Sequence, residues 1–182
     1  MTGSPRPAGS LPPLTLVIGG ARSGKSRHAE ALVAATGLPR TYIATAEAWD
    51  DEMRARIAQH RTDRGAGWQT VEAPQDLAPA LCAVPAGRVV LVDCLTLWLT
   101  NRMLADADLS EDTAALLRAL DACPAPVVMV TNELGWSIVP ENALARRFRD
   151  AQGRLNQTLA ARADHVVTVI AGLPLVLKGA PA

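Results

Sequence analysis

Aromatic residues are scarce: one tyrosine, one phenylalanine and four tryptophans make up 3% of 182 residues. Leucine, valine and alanine must therefore fill most of the interior. Net charge is also missing, with 18 lysines and arginines offset by 18 acids. That balance argues against a general nucleic-acid binder, which carries a net basic field. No apolar run approaches the ~20 residues that a membrane helix needs. The opening MTGSPRPAGSLPP lacks the apolar core of a secretory signal. Cysteines are few and far apart. Cys82, Cys94 and Cys123 make no CxxC pair and no Cys/His cluster, so nothing indicates zinc. They read as buried thiols in a reducing cytoplasm. A hydrophobic share of 49% excludes wholesale disorder.

What is present is a regular alternation. Residues 1–13 are rich in Pro, Gly and Ser and read as a flexible tail, and residues 14–182 as one domain. From Leu14 onward, short apolar runs alternate with helical stretches. The runs are LTLVI (14–18), TYIAT (41–45), RVVLVD (88–93), PVVMVT (126–131) and HVVTVI (165–170). Most are continuously apolar and β-branched, as strands covered on both faces must be. PLVLK (174–178) adds a last strand, joined through Gly172 in an edge hairpin. Helices are predicted from Lys25 to Thr36, over 50–63, from a Ser110 cap, and near 140–163 from Pro140. In the last of these, Leu144, Phe148, Ala151, Leu155 and Leu159 share one face. The pattern predicts an α/β fold with a mainly parallel sheet flanked by helices.

The segment between the first strand and first helix carries chemistry. Gly19, Gly20, Ala21, Arg22, Ser23, Gly24, Lys25 and Ser26 fit G-x-x-x-x-G-K-[ST] without a mismatch. Glycines let consecutive N–H groups face phosphate oxygens, and the helix N-terminus adds positive potential. Lys25 is expected to reach the β and γ phosphates, and Ser26 to bind Mg²⁺ through its hydroxyl. The partner acid is Asp93, which ends RVVLVD where a metal-binding carboxylate belongs; its plain alternative is a cap on the following helix. A P-loop NTPase follows, taking a nucleoside triphosphate such as ATP or GTP with Mg²⁺.

His60 stands in DDEMRARIAQHRTDR among Arg56, Arg61 and Arg64. Neighbouring cations favour the neutral imidazole, the form able to attack phosphorus. Arginines at that spacing can hold triphosphate oxygens. From these residues alone, a solvated charged helix with an incidental histidine remains open. His28 and His165 read as packing residues.

Taken together, the motifs resemble the adenosylcobinamide kinase / adenosylcobinamide-phosphate guanylyltransferase family of cobalamin biosynthesis. The resemblance spans residues 14–178. It rests on GGARSGKSRHAE (19–30), YIAT (42–45), DDEMRARIAQHR (50–61), W-x-T-V-E (68–72), VDCLTLWLTN (92–101), VTNELGWSIVPEN (130–142) and ARRFRDAQGRLNQTLA (145–160). It implies a RecA-like domain, a cytoplasmic setting and homo-oligomers, trimers in particular. It also implies two transfers: phosphorylation of the aminopropanol hydroxyl of adenosylcobinamide by ATP or GTP, then transfer of GMP from GTP to that phosphate through a guanylylated histidine. The position that matches this histidine is His60. By the same resemblance Thr45, Arg61, Arg64 and Glu72 line the guanine-nucleotide site, with a strand-end cap, solvated arginines and a surface acid as their plainer alternatives. Asn132, Glu133 and Gly135 follow a strand at the sheet's carboxyl edge, placed to position an acceptor or to serve turn geometry.

Two other readings make different predictions. A kinase for another small metabolite transfers γ-phosphate and forms no covalent nucleotide. An assembly NTPase of RecA type hydrolyses nucleotide in response to a macromolecule.

Overall fold

The computed structural model describes residues 11–48 and 50–179, without the side chains of Glu52, Met53, Arg56, Ile57, His60, Arg61 and Asp63. Seven strands form one sheet: β1 (Leu14–Gly19), β2 (Arg40–Ala44), β3 (Trp68–Glu72), β4 (Val89–Asp93), β5 (Val127–Asn132), β6 (His165–Ile170) and β7 (Leu173–Lys178). The helices are α1 (Lys25–Ala34), α2 (Asp51–Arg64), α3 (Leu77–Cys82), α4 (Leu95–Leu104), α5 (Leu109–Ala122) and α6 (Ala143–Arg162). Strand order is β3-β2-β4-β5-β1-β6-β7. Strands β1 to β6 pair in parallel, and β7 closes one edge antiparallel to β6.

Side-chain alternation sorts the apolar residues onto two faces, as a pleated strand requires. Leu14, Leu16, Val90, Val92, Val127 and Met129 join the core under α3 to α6. Val17, Val89, Leu91, Val128 and Val130 join the core that includes Ala29 and Val33 of α1. The central strands are therefore buried on both sides, and their near-continuous apolar runs follow.

Several local expectations need correction. WQTVE is a strand, β3, although it reads only as a motif in sequence. Asp108, not Ser110, caps α5, its carboxylate accepting from the amides of Ser110 and Glu111. α6 begins at Ala143 with Asn142 as its cap, three residues after Pro140. Leu144 consequently lies in the exposed first turn, while Leu155 and Leu159 are buried. Cys82 is exposed rather than buried; Cys94 is buried and Cys123 intermediate. The tail expected at 1–13 lies outside the described residues up to position 10. Its last part is held: Leu11 packs against the α1-side core, and the carbonyl of Pro13 accepts from Val127 N at 2.9 Å. Among the described residues no helix is long and apolar enough to cross a membrane.

Candidate active site

Parallel pairing gathers the carboxyl ends of six strands along one edge. Register aligns them closely: Gly19 lies opposite Asn132, Asp93 opposite both Val130 and Ala44, and Ala44 opposite Glu72. β5 separates the strand that feeds the phosphate loop from the strand that ends in Asp93.

The loop is held by two bonds to one of its own carbonyls. Ser23 N donates to Gly20 O at 3.2 Å, and Lys25 Nζ donates to Gly20 O at 3.1 Å. Two glycines are required by geometry. A Cβ on Gly19 would stand 2.4 Å from Ser23 Oγ and 2.7 Å from the Val169 carbonyl. Gly24 has φ +95 and would meet Gly172 Cα at 3.2 Å. The turn between β6 and β7 braces the loop from below, with Gly172 N donating to Ser23 O at 2.8 Å. Gly20, Ala21 and Arg22 are exposed, and Ser26 is half-buried in the first turn of α1.

Asp93 is the last residue of β4 and does not cap α4, whose N-cap is Cys94. The Cys94 thiol reports its surroundings. Burial and then the Asp93 carboxylate push its pKa up to about 11, while Lys25 acts in the opposite direction. Asp93 and Lys25 thus share one electrostatic neighbourhood, and the thiol stays protonated and unreactive. Among the described residues no group of three or more His, Cys, Asp or Glu could hold a metal alone. Ser26 and Asp93 do offer two hard oxygen donors, and Mg²⁺ accepts a site of one or two protein oxygens completed by substrate phosphates.

Thr45 is fully buried beneath this edge. Its hydroxyl donates to Cys94 O at 2.7 Å and accepts from Cys94 N at 2.8 Å. Its carbonyl accepts from Asn101 Nδ2 at 2.9 Å, and the same amide donates to Pro74 O at 2.9 Å. Asn101 therefore ties together the loops that follow β2 and β3. Glu72 is exposed at the end of β3. Arg64 lies at the end of α2 with its guanidinium 3.5 Å from the centre of the Tyr42 ring, and it donates to Thr70 Oγ1 at 3.2 Å. Burial and Asp93 raise the Tyr42 pKa, and Arg64 opposes them. α2 is the helix predicted at 50–63; the side chains of His60 and Arg61 lie outside the described residues.

Beyond β5, a buried polar network shapes the next loop. Thr131 Oγ1 donates to Asn156 Oδ1 at 2.8 Å, and Gln152 Nε2 donates to both of them at 2.9 Å. Asn156 Nδ2 donates to Asn132 O at 3.0 Å, and Asn132 N donates to Thr96 Oγ1 at 2.9 Å. Glu133 N reaches Gly19 O at 3.2 Å, locking this loop to the start of the phosphate loop.

A family model described as cobinamide kinase / cobinamide phosphate guanyltransferase matches residues 15–177. The chain belongs to this family. A bifunctional adenosylcobalamin biosynthesis protein CobP of Pseudomonas aeruginosa is 50% identical, covering 91% of this chain and 98% of the relative. The proteins named CobU of Salmonella typhimurium and Escherichia coli are each 45% identical, covering 91% of this chain and 99% of each relative. Solved structures confirm the fold class. The flagellar accessory protein FlaH of Methanocaldococcus jannaschii superposes with TM-score 0.51 at 13% identity, over 91% of this chain and 78% of FlaH. A second solved structure, an ATPase domain, superposes with TM-score 0.50 at 10% identity, over 85% of this chain and 68% of that one. At such identities only the fold is shared. Membership makes the chain a transferase of the kinase and guanylyltransferase kind.

The residues of the buried polar network carry no catalytic motif in the sequence. Thr131, Gln152, Asn156 and Asn101 have no catalytic spelling. A signal does exist: Gln152 and Asn156 stand four apart on the buried face of α6, between Phe148, Leu155 and Leu159. Polar groups in an apolar stripe must find partners there.

Proposed function

We propose that the chain phosphorylates the aminopropanol hydroxyl of adenosylcobinamide with ATP or GTP. It then transfers GMP from GTP to that phosphate, giving adenosyl-GDP-cobinamide and pyrophosphate. The observation that carries this reading is the match to a bifunctional relative over 91% of this chain and 98% of the relative, on a chain whose phosphate loop and Asp93 stand at the same edge of the sheet. The buried Thr45 and the placement of Arg64 favour roles as supports for the nucleotide site over direct contact with the base.

In the first transfer, loop amides from Gly20 to Lys25 hold the triphosphate, and Lys25 moves from the Gly20 carbonyl to the β and γ phosphates. The acceptor hydroxyl oxygen attacks the γ phosphorus in line and gives its proton to water; the bond to the β–γ bridging oxygen breaks, and the nucleoside diphosphate leaves. When bound by Ser26 and Asp93, Mg²⁺ supplies neutralisation of phosphate charge. In the second transfer a ring nitrogen of His60 attacks the α phosphorus of GTP. An N–P bond forms, the bond to the α–β bridging oxygen breaks, and pyrophosphate departs. A phosphate oxygen of the acceptor then attacks the same phosphorus and releases the imidazole. Splitting the transfer lets one loop serve attack at two different phosphorus atoms.

Incubation with Mg²⁺ and GTP labelled on the α phosphate, without corrinoid, tests the histidine step. An acid-labile GMP adduct seen by intact mass, and absent from His60→Ala, is the expected result. A folded, kinase-active protein that forms no adduct would leave the phosphate loop in place and remove His60 from the mechanism.

A further inference from the structure

α6 carries a second polar surface beside the phosphate loop. A pocket of about 550 Å³ opens between this helix and the carboxyl ends of β1 and β5. Its walls include Ile18, Glu133, Arg149, Gly153, Arg154 and Gln157. Positions 149, 153 and 157 recur every four residues, so they form one stripe on one side of α6. The amide of Glu133 bonds to the carbonyl of Gly19, so the inner end of the pocket adjoins the start of the phosphate loop.

Two features of this wall have no internal explanation. The first is Gly153. Glycine is the least favourable residue after proline inside a helix, and Gly153 stands mid-way along the 20 residues of α6. Nothing lies within 4 Å of a Cβ built on it, and its backbone is helical. Neither packing nor conformation asks for glycine there; what the missing side chain leaves open is the pocket. The second is the state of the arginines. Arg149 is 22% exposed and its neighbour Asp150 56%, and their 3.8 Å separation exceeds a hydrogen bond. Arg149 is therefore largely covered, and beyond this long ion pair its guanidinium makes no hydrogen bond among the described residues. Arg154 makes no ion pair among the described residues. Two acids also line the wall: Asp150, which is exposed, and Glu133, which turns back on its own loop, its Oε1 accepting from Gly135 N at 2.6 Å. Two guanidinium forks thus face a space of small-ligand size, the arrangement that recognises a phosphate monoester.

We propose that this pocket receives the phosphate monoester on the corrinoid arm, the group that the kinase step makes and the guanylyl step consumes, held by Arg149 and Arg154. The assignment rests on the function proposed above. The pocket lies on the α6 face of the sheet, away from α1, so the acceptor phosphate approaches the transferred group from the side opposite the helix that holds the nucleotide.

Equilibrium dialysis, followed by corrinoid absorbance, tests this with cobinamide and cobinamide phosphate on the wild-type chain and on Arg149→Ala, Arg154→Ala and Gly153→Leu. The wild type is expected to prefer the phosphorylated ligand by about tenfold or more, the range of charge-assisted hydrogen bonds to phosphate. Each arginine variant should lose most of that preference while still binding unphosphorylated cobinamide. Gly153→Leu should weaken the phosphorylated ligand with an unchanged or raised Tm, which excludes misfolding as the cause. Folded variants that keep the wild-type preference overturn the pocket assignment. Equal wild-type affinity for the two ligands overturns it as well and leaves the proposed function standing. A wild-type chain that binds neither corrinoid overturns both.

Discussion

Thr45→Val separates two roles for a residue expected at the nucleotide. Valine keeps the shape of threonine and removes its hydroxyl. In the wild type that hydroxyl is fully buried and makes two bonds to the Cys94 backbone, at 2.7 and 2.8 Å. The Cys94 carbonyl retains a second partner, Trp98 N at 3.2 Å, so only the Cys94 amide is orphaned. One net hydrogen bond contributes about 1 kcal/mol, and an unsatisfied buried donor costs a further 1–3 kcal/mol or so. The loss is then about 2–4 kcal/mol, or about 4–16 °C in Tm for a chain of this size. Thr45→Ser keeps both bonds and loses a methyl group, at about 1 kcal/mol. Urea unfolding gives the stabilities, and titration with GTP gives the affinities. The serine variant should bind GTP as the wild type does. The valine variant should lose stability, and affinity with it, because the Cys94 peptide sets the end of β4 on which Asp93 stands. A valine variant within about 0.5 kcal/mol of wild type, a change expected of ordinary surface substitutions, that nonetheless fails to bind GTP would refute this reasoning. It would assign Thr45 to direct contact with the nucleotide.

Gly24→Ala should weaken nucleotide binding, measured by titration with GTP, because φ +95 is strained for alanine and its methyl group would press on the Gly172 Cα at 3.2 Å. Gly37→Ala, at φ +66 with nothing within 4 Å, is the control: it should cost about 1 kcal/mol in thermal unfolding and leave binding intact. Arg64→Leu removes the guanidinium stacked 3.5 Å from the Tyr42 ring centre and should destabilise the docking of α2 by about 1–2 kcal/mol. Hydrogen exchange over residues 51–64 should then rise more than over α6; equal exchange would show that the stack does not anchor the helix. Burial and the neighbouring His165 hold the His28 imidazole below its ordinary pKa, and burial does the same to His165. Below the unfolded value of about 6.5 the unfolded chain binds more protons than the folded one, so these groups lower stability as pH falls from about 7 toward 5. His28→Asn should flatten that part of the stability–pH curve, and a curve parallel to wild type counts against the assignment.

The parallel sheet was legible because its central strands are apolar on both faces, and such runs have few alternative placements. The phosphate loop was legible because its chemistry fixes residue types at fixed spacing. β3 was not. WQTVE is partly exposed at the sheet edge and carries two polar residues and a glutamate, so its strand character comes from pairing with β2 and from the Arg40 and Arg64 contacts to Trp68. Pro140 suits a first helical turn and so points to an early start for α6, whereas Asn142 supplies the oxygen that caps the amides of Leu144 and Ala145. Within the site, Lys25, Ser26 and Asp93 announce themselves by motif and context. Asn101, Gln152 and Asn156 act through bonds to distant backbone, which only the fold brings within reach.

The edge hairpin shows how a marginal element can serve the site. Leu173, Leu175 and Leu177 of β7 are all exposed, so the strand adds little to the core. Its value lies in the turn that creates it. Ala171 and Gly172 both have positive φ, at 52 and 81, the pair of conformations that a two-residue hairpin of the twisted kind demands. That turn delivers the Gly172 amide to the Ser23 carbonyl and packs its Cα beneath Gly24. The phosphate loop needs consecutive amides facing outward, which leaves carbonyls such as that of Ser23 facing inward in need of a donor. The hairpin turn supplies it. An element at the end of the sheet thereby sets the geometry of the loop that follows its first strand. Lengthening the turn by one glycine should weaken nucleotide binding while the buried strands stay folded.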